Sequence, residues 1–575
     1  MGDWVEKELG GVGFFCYTDA VLASHSERFD VVIVGAGAGG ACAAKTLAVH
    51  GLRTLLLERG RAHWEAADTV YSANDLSSQR APWLVQGTGV LGEPADVSQY
   101  ADNGDFGVVR PNNAAVVGSG TVYYGGLTGR FLADDFRLRS RYGEVADAAL
   151  ADWPVTAQEL EPYYDKAEYE LGVAGTNAGN PFATGRTRPF PMKPFPLTAE
   201  AQRVSDAARQ KGLHPYPAAY LRNSEPYNNR PACDRQGPCA GHACPRQAKN
   251  GVHNTVLATC PPNLVLRTRC VVTRLVVDDA GRLSGVDYVD ASDRKHTVSA
   301  RAVVLAAGSN ATARLLLAST SKLFPHGAGN NKDLVGRHIA GLSEVSARGF
   351  LGEDILGLNI QKAAAGVALM DWCHPKDSPG FAGGGLVYTD FPLTPALFTQ
   401  LSFPGAPRWG QAYQDFVRLH YRRLLRVCAL VRQLPRAENR LRLVPMRRDY
   451  WGVPLLACDG REHADDFKAR QFLGAKAREL VEACGAADVS VDLGGDGPRA
   501  TWDFGGPYQC GSCRMGLDPA HGVCDAWGRV WDFPNLFLAD ASTFVNSGSV
   551  PPALTVMALA FRVADGIING WRNLA

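Results

Sequence analysis

The chain has 575 residues, 46% of them hydrophobic and 20% charged, and a formal net charge of +1. That length and apolar content suffice to bury a large core across roughly two to four domains of about 150 residues, which excludes a disordered chain. The near-neutral charge, with no long Lys/Arg block, excludes the electrostatic footprint of a nucleic-acid binder and leaves a small-molecule substrate as the expected partner.

The segment Met1 to Asp30 carries Asp3, Glu6 and Glu8 and lacks a basic stretch followed by an apolar one, so no cleaved secretory signal and a cytoplasmic location are expected. From Phe29 the residues Asp30-Val31-Val32-Ile33-Val34 predict a strand buried on both faces. It leads into Gly35-Ala36-Gly37-Ala38-Gly39-Gly40 and then an Ala-rich helix through Leu47. Gly35 permits the turn, Gly37 lets backbone approach a pyrophosphate, and Gly40 lets helix pack closely on strand, with the helix N-terminus facing the phosphates. A second strand, Arg53 to Leu57, ends at Glu58, whose carboxylate can accept hydrogen bonds from ribose hydroxyls. Strand, Gly turn, helix and an acid about 20 residues on together predict a bound dinucleotide. The acid disfavours a 2′-phosphate there, although Arg59 is adjacent.

Between Arg222 and Gly251 the sequence is crowded with Pro, Asn, Gly and Cys and reads as an ordered loop region. Of the 14 cysteines, Cys233, Cys239 and Cys244 cluster within it, in the kind of Gly/Pro-rich setting where backbone wraps an iron–sulfur cluster with thiolate ligands. The bland alternative is that these thiols pack the loop or form a redox-sensitive disulfide; His242 would add a fourth ligand for zinc. Arg301 to Gly308 reads as another core strand, followed by a helix from Asn310 to Ser319. Asn535 to Ser542 places Asp540 at the end of an apolar strand, where it can meet a ribityl or phosphate group. The apolar stretch Val550 to Phe561 is interrupted by Arg562 and is too short for a bilayer core of roughly 30 Å, so no membrane span is expected.

Further motifs lie between these elements: Gly118-Ser-Gly-Thr-Val-Tyr-Tyr-Gly-Gly126, Asp152-Trp-Pro-Val, Leu160-Glu-Pro-Tyr-Tyr164, Glu170-Leu-Gly-Val173, Arg222-Asn-Ser-Glu-Pro-Tyr and Arg230-Pro-Ala-Cys233. In this order they resemble the glucose–methanol–choline oxidoreductases from about Phe29 to the end of the chain, with the nearest likeness to the FAD subunits of bacterial glucose, gluconate, sorbitol and fructose dehydrogenases. The resemblance implies an α/β (α+β) two-domain fold: a Rossmann-like FAD-binding domain over 25–320 and 500–575, with parts of 130–225 on the substrate side, and an inserted substrate domain over 321–499 built on an antiparallel sheet. It implies tightly bound FAD, with Gly118, Ser119 and Tyr124 near the flavin ring, Val271 near the adenine, and Asp540 and Ala553 near the ribityl chain and pyrimidine edge. Some relatives carry a covalent flavin link through a His where this chain has Tyr123, so no such link is expected. It also implies a three-iron, four-sulfur cluster on Cys233, Cys239 and Cys244 passing electrons to a cytochrome, although the second spacing is one residue longer than in the dehydrogenases it resembles.

The family's base is nearly always a His, which takes the hydroxyl proton while hydride moves to flavin N5, and a second His or Asn steadies the oxygen. Here Tyr508 stands at the place of the base in Tyr508-Gln-Cys-Gly511-Ser-Cys-Arg-Met-Gly516, and Pro551 at the place of the partner. Losing such a base forfeits roughly 10²–10⁴ in rate. A tyrosine of ordinary pKa, about 10, costs roughly 4 kcal/mol to hold ionised at pH 7, so Tyr508 is expected to donate a hydrogen bond or to fill volume over the flavin. The leading reading is oxidation of a CH–OH or similar group of a polyol, sugar or specialised metabolite at an atypical site. The alternatives are a flavoenzyme of other chemistry (lyase, isomerase, double-bond reductase or photodecarboxylase) or a non-catalytic FAD-binding partner protein.

Overall fold

A computed structural model describes residues 27–62, 99–101, 107–109, 114–235, 239–240, 243–244, 246–355, 365–375, 380–389, 398–399, 401–498 and 508–574. The Val/Ile run after Phe29 forms β1 (Arg28–Val34), parallel to β2 (Thr54–Leu57) on one side and to the end of β11 (Lys295–Leu305) on the other. This seven-stranded sheet runs β8 (Leu264–Arg267), β2, β1, β11, β10 (Leu283–Val289), β9 (Val271–Val277), with β21 (Leu536–Leu538) parallel to β11 beyond β10. Its central strands are buried on both faces, as strands covered by helices must be.

One face is covered by α1 (Ala38–Val49) and α7 (Ala553–Gly570), and α7 in turn packs on α2 (Ala157–Leu171). Helix α2 starts at a reciprocal cap in which Thr156 Oγ1 accepts from Glu159 N and the Glu159 carboxylate accepts from Thr156 N at 2.8 Å. Helix α7 corrects the expectation of a segment too short to span a bilayer. With the turn after it, it is 21 residues long with a mean hydropathy of 1.3, apolar enough by composition to cross a membrane, yet 67% of that window is buried inside the protein. Leu554, Met557, Phe561 and Val563 are in the core, each contributing about 1.5–3 kcal/mol by leaving water, so the hydropathy of α7 is that of a packed helix.

A second sheet runs β20 (Cys510–Ser512), β12 (Arg337–Ala340), β17 (Arg440–Arg448), β18 (Pro454–Asp459), β3 (Gln99–Ala101), β4 (Gly107–Val109). The third, antiparallel throughout, runs β19 (Ala487–Asp492), β13 (Leu342–Phe350), β16 (Leu424–Arg432), β15 (Gly385–Thr389), β14 (Val367–Leu369), β6 (Tyr216–Pro217). A short pair, β5 (Leu127–Thr128) with β7 (Ala219–Tyr220), lies beside it in sequence.

The third sheet has two unlike faces, as the period of two demands. Val345, Ala347, Val387, Val427 and Ala429 pack with α3 (Ala199–Gln210) and α6 (Ala464–Ala483). Leu342, Leu386, Tyr388, Cys428 and Leu430 face the other way and join the core that also contains β1, α1 and α7. The sheet therefore forms a wall whose inward face is turned to the dinucleotide-type domain.

Candidate active site

The Gly turn is closed from several sides. Gly35 has φ +98°, and a Cβ on it would stand 2.5 Å from the Ala306 carbonyl oxygen, so only glycine fits. A Cβ on Gly40 would meet the Gly35 oxygen at 1.9 Å and one on Gly39, which the sequence reading did not single out, the Ala539 oxygen at 1.7 Å. Gly37 differs: its backbone is extended (φ −79°, ψ −164°), and a Cβ there would face Ser119 Cβ at 3.3 Å. Helix α1 begins at Gly37 with no side-chain cap and no acid in its first turn, so its leading N–H groups and dipole remain suited to a phosphate.

Glu58 is buried, and its two carboxylate oxygens accept from Ala36 N and Gly60 N, each at 2.8 Å, which clamps the turn from the end of β2. Arg59 follows it, and Val271 opens β9 directly after Cys270, whose N–H donates to the Glu58 carbonyl at 2.9 Å. Glu58 and Val271 thus lie at one end of the turn. Gly118 N donates to Ala36 O at 2.9 Å and brings Gly118-Ser119 against Gly37. Asp540, at the end of β21, accepts from Gly308 N at 2.9 Å, Thr312 Oγ1 at 2.6 Å and Ser542 N at 2.9 Å. Burial raises its pKa above the ordinary carboxylate value against those bonds. Ala553 opens α7, which reaches the same turn through Val556 beside Gly39. A glycine cradle, an uncapped helix start, a ribose-height acid and a second buried acid are the features an FAD site requires, and these residues fit that group.

Tyr124 is oriented elsewhere: its hydroxyl donates to the Asn250 carbonyl, and its own carbonyl accepts from Lys249 Nζ at 2.9 Å. Tyr508 is half-buried against the main core just before β20, and β20 is tied to the segment after Asp540 through Cys513 N to Ser542 O and Met515 N to Thr543 O, both 2.9 Å. Pro551 is buried, seven residues after Phe544 in that same segment. The segments that carry Tyr508 and Pro551 are therefore anchored to one another.

A buried polar junction holds the approach to Pro551, and no motif announced it. Asp135 is fully buried; it accepts from Ser549 Oγ at 2.6 Å, Ser549 N at 3.3 Å and Leu132 N at 2.8 Å, pairs with Arg432 of β16, and lies 2.9 Å from His374 Nε2. Burial pushes the Asp135 carboxyl up, but Arg432, His374 and Ser549 outweigh it and hold it at about 2. Arg432 Nε also donates to the Gly548 carbonyl at 3.2 Å, so the third sheet grips the turn immediately before Pro551. Burial, with Arg432 beside it, lowers the pKa of His374 below the ordinary imidazole value. Two histidines also sit near the motifs: His253 under Gly118, and His338 on β12 beside β20, where burial with Arg514 and Arg337 holds it at about 3.

The cysteine loop gives the cluster expectation no support. Cys233, Cys239 and Cys244 form no disulfide, and among the described residues no three His, Cys, Asp or Glu side chains converge to hold a metal ion. Around the thiols, Arg222 Nη1 lies 3.7 Å from Cys239 Sγ, Lys249 Nζ donates to the Cys239 carbonyl at 2.7 Å, and Arg235 N reaches Cys233 Sγ at 3.4 Å. Burial raises the Cys233 thiol, favouring its neutral form. The three thiols do not fit a three-iron cluster as they stand, and His242 lies outside the described residues.

Residues 148–341 and 435–560 match the GMC oxidoreductase family, and residues 30–76 match an FAD-binding domain. The chain is 30% identical to the 6'''-hydroxyparomomycin C oxidase of Streptomyces lividus over 96% of its own length and 94% of the relative's. It is 28% identical to the fructose dehydrogenase large subunit of Gluconobacter japonicus, covering 95% of this chain and 99% of that one. A crystal structure of formate oxidase shares its fold at a TM-score of 0.62 and 16% identity, covering 96% of this chain and 100% of that one. End-to-end similarity of this kind, laid over a glycine cradle that FAD fits, makes the chain a member of the GMC oxidoreductases, an FAD-dependent oxidoreductase acting on CH–OH donors.

Proposed function

We propose that this enzyme oxidises a CH–OH group of a polyol or sugar-like substrate at a site bordered by Tyr508 and Pro551, without the family's His/Asn pair. The observation that supports the reading is the anchoring of the segment after Tyr508 to the segment between Asp540 and Pro551 through Cys513 N and Met515 N. FAD, when bound, supplies the hydride acceptor. Gly35, Gly37, Gly40, Glu58 and Asp540 hold it, with Gly118, Ser119, Val271 and Ala553 along its length. Tyr508 donates a hydrogen bond to the substrate oxygen, whose own hydroxyl proton passes to solvent water as the C–H hydride is given up, while Pro551 offers neither an N–H nor a polar side chain and serves as an apolar stop. The strands within 321–499, with β6, supply the wall of the substrate space. Oxygen or a diffusible acceptor takes the electrons.

Anaerobic mixing of the yellow holoenzyme with candidate alcohols tests the reading: bleaching of the flavin band is the expected result. Flavin that no alcohol reduces, yet that turns over a substrate under illumination or without net oxidation, would move the enzyme to the lyase, isomerase or photochemical class.

A further inference from the structure

Just after Tyr508 the ladder between β12 and β20 slips. Arg337 pairs with Ser512 and Ala340 with Cys510, so His338 and Ile339 stand opposite Gly511 alone, which is a β-bulge. The backbone is left-handed on both strands, with φ +62° at His338, +78° at Gly511 and +83° at Ser512. Gly511 is a glycine by necessity, since a Cβ there would stand 2.3 Å from the His338 carbonyl oxygen. Ser512 is different. Glycine would take φ +83° without strain, whereas a fully buried serine holds it only against an unfavourable backbone energy.

The hydroxyl of Ser512 makes the bond that offsets this strain. Ser512 Oγ donates to the Ser309 carbonyl at 2.8 Å, and Ser309 Oγ donates to the Gly511 carbonyl at 2.7 Å, a reciprocal pair between β20 and the first residue of α4 (Ser309–Ala318). The residues on either side of Ser309 also bond outward. Gly308 N donates to Asp540 Oδ2 at 2.9 Å, and Asn310 Nδ2 donates to the side-chain oxygen of Gln509, the residue after Tyr508. Ser309 and Asn310 are both buried. Three consecutive residues at the start of α4 therefore hold Asp540, the strained bulge and the neighbour of Tyr508.

Resting on the alcohol-oxidation reading above, we propose that the start of α4 is a strut that sets Tyr508 in register with the cofactor acid Asp540, with Ser512 and Ser309 as its positioning residues. The line of contacts runs from Asp540 through Gly308, Ser309 and Asn310 to Gln509 and the bulge, and so to Tyr508 from both its side-chain neighbour and its strand. Without the Ser512 hydroxyl the bulge relaxes and Tyr508 moves with it. A hydrogen-bond donor displaced by about 1 Å loses much of its effect on a reacting oxygen.

Ser512→Gly separates this role from simple stabilisation, because it removes the hydroxyl and the strain together. The probe is whichever of sorbitol, glucose and 1-butanol bleaches the wild-type flavin fastest under anaerobic stopped flow. The Ser512→Gly holoenzyme is expected to keep its flavin-to-protein ratio and melting temperature near wild type. Flavin reduction at saturating probe should slow roughly 10-fold, with the spectral dissociation constant little changed. Ser512→Ala keeps the strain and loses the bond, so the same slowing with a lower melting temperature is expected. On a Tyr508→Phe background Ser512→Gly should slow reduction no further, since its effect passes through Tyr508. A wild-type rate in Ser512→Gly, or equal fractional slowing with and without the Tyr508 hydroxyl, would overturn the proposal and leave the alcohol-oxidation reading in place. Tyr508→Phe that is reduced as fast as wild type would do the same, whereas flavin bleached by none of the three probes would take down both.

Discussion

Arg432 donates to Asp135 across 297 residues of sequence, and both side chains are wholly buried. The pair joins the third sheet to the turn that leads into Pro551. Asp135→Asn removes the negative charge and leaves Arg432 buried without its counter-ion, so unfolding is expected to become easier by about 3–5 kcal/mol. Denaturant titration of the holoenzyme checks this. Adding Arg432→Met should recover a large part of the loss, and a double variant no more stable than Asp135→Asn would show that the pair is not the cause.

Gly35 and Gly37 should fail differently. Gly35→Ala forces φ +98° on a residue with a Cβ and drives it against the Ala306 oxygen, so misfolding and loss of FAD are expected together. Gly37→Val adopts an extended backbone that valine tolerates, but its side chain fills the space before α1. A folded protein with little bound flavin is the expected outcome, read as the ratio of flavin to protein absorbance beside a circular-dichroism spectrum. A Gly37→Val protein with full flavin content would refute the placement of the pyrophosphate.

The pH dependence of stability is expected to centre on His338. Burial, with Arg514 and Arg337 nearby, depresses its folded pKa to about 3 from an ordinary 6.5. The unfolded chain therefore binds a proton between those values that the folded protein refuses, and stability falls as pH drops from about 6.5 towards 3. Its left-handed backbone, φ +62°, is one that asparagine also adopts readily. His338→Asn should accordingly lose about 2 kcal/mol less than the wild type between pH 7.5 and pH 5. Parallel urea curves at the two pH values decide it. Asp135 works at a different pH: with a carboxyl at about 2, its stabilisation is complete above the unfolded carboxylate pKa and is lost only as pH falls through 2.

The sequence made the dinucleotide turn legible because its requirements are local: a buried strand, glycines with little room and an acid at the next strand's end lie within 30 residues of each other. Family motifs extended that to the whole fold. The Asp135–Arg432–His374–Ser549 junction was invisible because its members are ordinary polar residues far apart in the chain, and only tertiary packing gives them a common meaning. The cysteine loop misled in the opposite direction. Thiol count and spacing are local, but ligation depends on where the side chains turn, and here Arg222, Lys249 and backbone donors claim the neighbourhood.

The proposed alcohol oxidation is tested most directly at Tyr508. Tyr508 lies two residues before β20, whose Cys510 and Ser512 pair with β12 and fix its height in the core. A phenol is a poor resting base at neutral pH but a good donor to a substrate oxygen, so Tyr508→Phe is expected to lower kcat/KM for flavin reduction about 10²-fold while FAD content and melting temperature stay near wild type. Stopped-flow reduction of the variant at saturating alcohol separates the roles: a slowed reductive step places the hydroxyl in the chemistry, and an unchanged one means that the ring only fills volume. Tyr508→His combined with Pro551→Asn offers the converse measurement. If the atypical pair sets the activity, restoring the family's residues should raise the rate on simple alcohols and give the pH profile of a single base titrating near 6.5. A double variant with the wild type's rate and pH profile would show that the proton is handled by a group elsewhere in the site.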